Sequence, residues 1–426
     1  MQTQFNDIED LVANVHALAV RKRDFIASPG NAIVQPDGKT MVLTDVCDDP
    51  ISWINPNGSG GQGTGFKGVM DEHFIRGLSG FAGLPKKYVD QMIENDRRGL
   101  LAENLNNWLQ DPPNGKLRSA DANKLFRAYD GELIDTHTRA VKSRAKLNGR
   151  SDWNHSGEVD YGDRALPRFR SLHSDKFRIF DYTHLLKHVY PVLKEIRDKV
   201  GELDIRSLAL TEKRIYLKIF FPQIEKEIAK GDIVRSGIVI SNSEIGQGSI
   251  EVWPMILRLI CLNGMTADEG GKRKKHLGRV TAEGEIDYAD DTIAADNEAL
   301  SLKLRDVVKK CADETQFAIR CASMTEAAEG ETPSKPLKSV ELVTDTFNLS
   351  EWEGESVTEA YIAGQDYSKW GMLNAVTSVA NNEEVSYDRA SHLEKVGGRI
   401  LQLNHDQWGT VCNAGTGFHR PLALAS

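Results

Sequence analysis

The chain has 426 residues and few cysteines: Cys47, Cys261, Cys311, Cys321 and Cys412. None of them stands in a CxxC or CxxH spacing, so neither a disulfide scaffold nor a structural zinc site is expected. No apolar run reaches the roughly 20 residues of a membrane span, so no membrane partner is expected. The opening decapeptide MQTQFNDIED is acidic and polar, unlike a secretory signal, which points to the cytoplasm. Internal repeats are lacking, and so is a GxSxG nucleophile elbow. Gly58 and Gly63 in PNGSGGQGTGFKG (56–68) have phosphate-loop spacing, but Thr64 stands where the loop needs lysine. His184 and His188 lie four apart, yet Leu185 occupies the place of the glutamate in a zinc-protease helix. No metal, no cofactor and no catalytic residue is therefore assigned, and an enzyme is the less favoured expectation.

What is present is a globular composition: 40% hydrophobic, 27% charged and 7% aromatic. The net charge of −9 hides a strong asymmetry. Residues 1–115 carry 10 Lys and Arg against 15 Asp and Glu; residues 116–280 carry 31 against 22; residues 281–426 carry 12 against 25. These segments define an expected acidic helical N-terminal region with a glycine-rich loop (1–115), a basic β-rich core (116–280) and an acidic helical C-terminal region (281–426). A cationic middle between anionic flanks suits a polyanion ligand held by the centre.

Hydrophobic periodicity gives the elements. Ile8, Leu11, Val12, Val15 and Leu18 fall on one helical face, and residues 85–96 and 98–109 continue the helical spacing. Residues 130–165 are polar and basic and read as a long loop. The period then changes to two. Residues 205–210, 214–221 and 233–241 alternate as strands, with Ile215, Leu217, Ile219 and Phe221 on one face and Arg214, Tyr216, Lys218 and Phe220 on the other. Residues 248–262 extend the strands, or pass into helix after Pro254. Short turns at 211–213 and 244–247 favour an antiparallel meander. Helical spacing returns at 299–312, 367–380 and 386–402, with 325–338 expected as a linker. The expected class is α+β, a central antiparallel sheet flanked by N- and C-terminal helices.

Three basic features stand out. Arg164, Arg168, Arg170, Lys176 and Arg178 interleave with Phe169, Phe177 and Phe180; the strand face carries Arg214, Tyr216 and Lys218; and Lys272, Arg273, Lys274 and Lys275 run consecutively. Cations that track phosphates beside rings that stack bases are what single-strand binding requires. The expected nucleic-acid face is thus Arg168, Arg170, Lys176, Phe177, Arg178, Arg214, Tyr216, Lys218 and residues 272–275, with Tyr216 and Phe177 stacking. A polar turn at Asn242, Ser243 and Glu244, with His276 and His173, is the site an alternative enzyme of nucleic acids or nucleotides would use.

Several stretches resemble a phage- and plasmid-borne family known as domain of unknown function 932. These are FAGLPKKYVDQMIENDRRGLLAENLNNWLQ (81–110), FRSLHSDKFRIFDYTHLL (169–186), NAVTSVAN (374–381) and ASHLEKVGGRIL (390–401). The most specific is IVISNSEIGQGSIEVWPMILRLICLNGM (238–265), carrying Asn242, Ser243, Glu244, Asn263 and Gly264, followed by His276 and Gly278. The resemblance covers about residues 70–402, and the basic stretch 138–165 is an insertion relative to it. It implies a setting among DNA-metabolism genes of mobile elements, and no catalytic residues. The strand meander followed by helix is similar to a Rad52-like core. The resulting expectation is a phage- or plasmid-encoded single-stranded-DNA-binding protein, more specifically an annealing recombinase that forms a homo-oligomer in the host cytoplasm and meets host replication or defence proteins. The alternatives are an enzyme and a counter-defence protein that grips a host factor.

Overall fold

In the computed structural model, the described residues are 2–5, 7–44, 46, 65–110, 124–130, 166–174, 177–211, 213–267, 271–275 and 289–416. Expectations at Lys176, His276, residues 56–64 of the glycine-rich loop and residues 131–165 lie outside them. The first part of the chain runs β1 (Gln2–Phe5), α1 (Ile8–Arg21), β2 (Lys22–Ala27), β3 (Ala32–Val34), β4 (Thr40–Leu43), β5 (Phe66–Met70), α2 (Glu72–Phe81), α3 (Lys86–Glu94), α4 (Arg98–Gln110), β6 (Lys124–Tyr129) and β7 (Arg168–His173). The centre holds α5 (Tyr182–Val200), β8 (Asp204–Thr211), β9 (Ile215–Ala229), β10 (Asp232–Asn242), β11 (Ile250–Arg258), β12 (Asn263–Thr266) and β13 (Lys272–Lys274). Seven helices follow: α6 (Asp290–Cys311), α7 (Glu314–Glu329), α8 (Pro336–Phe347), α9 (Glu351–Gly364), α10 (Lys369–Val379), α11 (Tyr387–Leu401) and α12 (His405–Cys412). The class is α+β.

Two sheets divide the strands. The larger has the order β1-β8-β9-β10-β11-β12, with β13 also paired to β11, and every one of its pairings is antiparallel. β8 and β9 pair as an antiparallel hairpin whose open end is closed by the Thr211 N–H on the Arg214 carbonyl, 2.8 Å. Register sets Leu217 against Ile240 and Ile219 against Ile238. These residues face a core with Leu185, Leu186 and Val189 of α5 and Leu300 and Leu304 of α6. The opposite face carries Tyr216, Lys218, Phe220, Val239 and Met255, and α11 lies over it.

β11 continues through Pro254, so the helical alternative there does not occur. The Pro254 carbonyl accepts from the Ala267 N–H on the β12 side. The proline nitrogen faces the same side, just beyond Met255–Thr266, the last paired position of β12, where no ladder donor is needed.

The second sheet has the order β2-β6-β7-β5-β4-β3, with β5 and β7 parallel. It draws strands from both sides of residue 115, while β1 belongs to the larger sheet; the regions expected at 1–115 and 116–280 are interleaved rather than serial. Phe25, Phe66, Phe74, Phe126 and Phe169 fill its core, and α2 and α4 pack on it.

The C-terminal helices differ from expectation at 325–338. That stretch supplies the last turn of α7 and the first turn of α8, leaving only 330–335 between them. Met324 and Ala327 are buried, and Pro336 starts α8 where a missing N–H costs nothing. α11 approaches β12 so closely that a Cβ at Gly398 would stand 1.9 Å from the Thr266 carbonyl oxygen. Asn263, next to Gly264 in β12, ties the same layer: its amide donates to the Asn374 carbonyl (3.1 Å) and its oxygen accepts from Asn381 (2.7 Å).

Ser350 and Glu353 form a capping box at α9, and Arg389 of α11 adds two hydrogen bonds of 2.6 Å to the same carboxylate. Arg389 chiefly, against the upward push of burial, holds the Glu353 carboxyl down to about 2 from an ordinary 4.5. A depressed carboxylate contributes stability that is complete above its unfolded value and lost as pH falls toward its folded one. The wild type should therefore lose more melting temperature between pH 4.5 and about 2 than Arg389→Gln does. Parallel Tm–pH curves for the two proteins would contradict this.

Candidate functional site

The Asn242-Ser243-Glu244 turn ends β10 at the junction of the two sheets. All three residues are buried. The Asn242 amide donates to the Phe180 carbonyl (2.8 Å) and its oxygen accepts the Ser243 N–H (2.8 Å). Ser243 Oγ donates to the Lys213 carbonyl (2.7 Å) and accepts from the Gln247 N–H (2.9 Å). Glu244 accepts from the Tyr182 N–H at 2.6 Å and from the Tyr129 hydroxyl at 2.9 Å.

Arg127 of β6 completes this joint. Its guanidinium is fully buried, bidentate to Asp24 (2.7 Å twice), and donates to Asp181 (2.9 Å) and to the Glu244 carbonyl (2.8 Å). Lys22 pairs with the other oxygen of Asp181. Burial alone would raise the Asp181 carboxyl, but Arg127 and Lys22 outweigh it and keep the group ionised. Burial, reinforced by Asp181, raises Glu244. Every polar atom of the turn named above is occupied within the protein, so the arrangement positions two sheets.

The cations expected to form one exposed track divide into two groups. One group is buried. Arg170 stands 3.7 Å from Asp71 and over the Tyr129 ring; Arg178 pairs with Asp296; Lys218 Nζ donates to Glu394 at 2.7 Å and sits over the Tyr387 ring. Tyr216, 2% exposed, donates to Asp388 and packs on Tyr387, while Phe177 stacks on His173 with centroids 3.6 Å apart. The stacking role expected of Tyr216 and Phe177 is thus closed to a base. Period-two alternation identified the strand face correctly but could not tell a solvated face from one covered by α11. Gly264 belongs to the same covered layer, where a Cβ would meet Met255 Cε at 2.3 Å.

The second group stays accessible. Arg168, Lys274 and Lys275 are exposed, Lys272 is half-buried, and the Arg273 side chain is 61% exposed. Among the described residues, Lys272, Lys274 and Lys275 have no carboxylate partner. β13 pairs with Ile250–Val252, which places Arg273 opposite Glu251 and its Nε 3.2 Å from Ser249 Oγ. Arg214 reaches the same residue, donating to the Ser249 carbonyl at 3.1 Å. Lys213, 56% exposed, adjoins it. From the second sheet's side, His73 Nε2 meets the Ile245 carbonyl at 3.4 Å. Burial first, then Arg170, Lys213 and Arg76 nearby, lower the His73 pKa, so His73 is neutral near pH 7 amid cations.

Sequence reasoning missed His73, Lys213, Glu251 and Lys395 at this place. Alternation along β11 could have signalled Glu251 and Trp253 on the face of Lys218. His188 is committed to Glu298 at 3.1 Å, and among the described residues no cluster of three or more His, Cys, Asp or Glu is arranged to hold a metal.

Fold and site together define a two-sheet α+β protein whose most distinctive turn is a buried joint with cations around its rim. The family model for the domain of unknown function DUF932 matches residues 174–397, just over half of the chain, and the chain belongs to that family. No curated protein and no solved structure matches it.

The covered ion pair makes a direct prediction. Lys218→Met leaves the buried Glu394 carboxyl without its partner, which should cost about 3–5 kcal/mol. Lys218→Met with Glu394→Leu should recover most of that loss in urea unfolding. A double-variant loss equal to the sum of the Lys218→Met and Glu394→Leu losses would show that the pair is not coupled.

Proposed function

We propose that the chain binds single-stranded nucleic acid, DNA in preference, along the surface formed by β13 and the 243–249 turn. The observation that carries this reading is the convergence of accessible cations there. Arg214 and Arg273 come from two separate stretches of sequence and meet at Ser249, with exposed Lys213 next to Arg214 in the chain and Lys272, Lys274 and Lys275 flanking Arg273. Exposed cations without internal partners keep their charge for phosphates, and each neutralised phosphate releases counterions. Recognition is then electrostatic and tolerant of sequence, which suits a coating or annealing role better than base readout. The acidic C-terminal helices oppose adsorption of polyanions elsewhere on the surface.

Labelled single-stranded oligonucleotides should bind at ~50 mM salt, and affinity should fall with salt at a log–log slope of about −0.7 per neutralised phosphate. Replacing Lys272, Lys274 and Lys275 together with glutamine should lower the slope by about 2. Fluorescence anisotropy that shows no binding of DNA or RNA at low salt would end this reading.

A further inference from the structure

We propose that Arg214, Arg273 and Lys395, gathered on the single carboxylate of Glu251, form a preorganised phosphate seat. This deepens the reading above and rests on it for the claim that the phosphate belongs to a strand. Glu251 on β11 is 3% exposed. Arg273 Nε lies 3.3 Å and Arg214 Nη2 3.7 Å from the same oxygen, Oε1, and Lys395 of α11 pairs with Oε2. Three cations thus answer one carboxylate. Among the described residues, the other nearby acids are already engaged: Glu394 with Lys218, and Asp388 with Tyr216 and, at 4.0 Å, with Lys213. The cluster keeps a surplus of two positive charges, and Lys213 and Lys272 stand beside it.

Burial of Glu251 explains why the surplus does not disperse. The carboxylate lies beneath the cations and draws their head groups together, while Arg273 and Lys395 keep solvent-facing surface, 61% and 33% of their side chains. Arg214 is fixed from below: it lies flat on the 246–249 turn, where a Cβ at Gly248 would stand 2.3 Å from its guanidinium carbon. It also holds the Ser249 carbonyl and lies 5.7 Å from the Tyr216 ring centroid. Two guanidinium groups share one anchoring oxygen, and an ammonium group pairs with the other oxygen of the same carboxylate. Guanidinium geometry matches the oxygens of a phosphate monoester or diester. Because the donors are already oriented by Glu251 and Gly248, a phosphate meets a site that needs little further ordering. Glu251 is then an internal counter-anion that organises the seat without satisfying it.

The test uses the full chain, inorganic phosphate as one probe and a labelled single-stranded oligonucleotide as the other. At constant ionic strength, exchanging chloride for phosphate should raise the melting temperature, since a ligand of the folded state stabilises it. Arg273→Gln, a change at an exposed side chain, should remove most of that rise and weaken oligonucleotide binding by about tenfold at low salt. Phosphate that acts no differently from chloride, with oligonucleotide binding unchanged in Arg273→Gln, overturns the seat. Oligonucleotide binding that depends on Lys272, Lys274 and Lys275 but not on Arg273 also overturns the seat and leaves the strand-binding reading standing. An Arg273-dependent phosphate effect in a protein that binds no oligonucleotide supports the seat, assigns it to free phosphate or a phosphate monoester, and overturns the strand-binding reading.

Discussion

A single buried guanidinium organises this molecule. Arg127 comes from the second sheet and reaches Asp24 of the same sheet, Asp181 at the start of α5 and the Glu244 carbonyl at the end of β10. A buried arginine costs several kcal/mol of desolvation unless every donor is matched by a well-placed acceptor. Here the acceptors come from three chain segments that meet only in the folded state. The Glu244 side chain answers in the other direction, accepting from Tyr129 of β6 and from the α5 backbone. The two sheets are therefore registered by directional contacts, and the Asn-Ser-Glu motif is the part of the larger sheet that makes them.

Charge is sorted by the same logic. Of the cations in the basic middle of the sequence, Arg170, Arg178 and Lys218 are drawn inward to neutralise Asp71, Asp296 and Glu394. Arg273, Lys274 and Lys275 remain outside where β13 returns along β11, since β13 is a short strand that pairs with β11 alone among the described residues. Lysines on such an edge also discourage strand-to-strand aggregation. The concentration of unpaired positive charge at one end of the larger sheet thus follows from topology as much as from composition.

Much of the fold was legible in the sequence. Periods of 3.6 and 2 located α1, α4, α10 and α11 and the hairpins of β8 to β11, because long amphipathic elements advertise the face they bury. The motif at 238–265 pointed to the family. Other features were hidden for physical reasons. The second sheet is assembled from strands far apart in the chain, with a parallel β5–β7 contact that no local pattern encodes. The covered face of β9 could not be distinguished from an open one, since Tyr216 and Lys218 are amphipathic enough to serve on either. Their partners Asp388 and Glu394 lie more than 170 residues further along the chain. At the candidate site, the run Lys272–Lys275 was visible as charge, but its meeting with Arg214 at Ser249 depends on the pairing of β13 with β11.

The most direct measurement of the central claim is urea unfolding of Arg127→Met monitored on both sheets, with tryptophan fluorescence and amide hydrogen exchange as separate probes. If the Arg127 joint couples the sheets, the variant loses about 3–5 kcal/mol and the two sheets unfold at different urea concentrations. A variant that unfolds in a single transition at the wild-type midpoint would contradict the account.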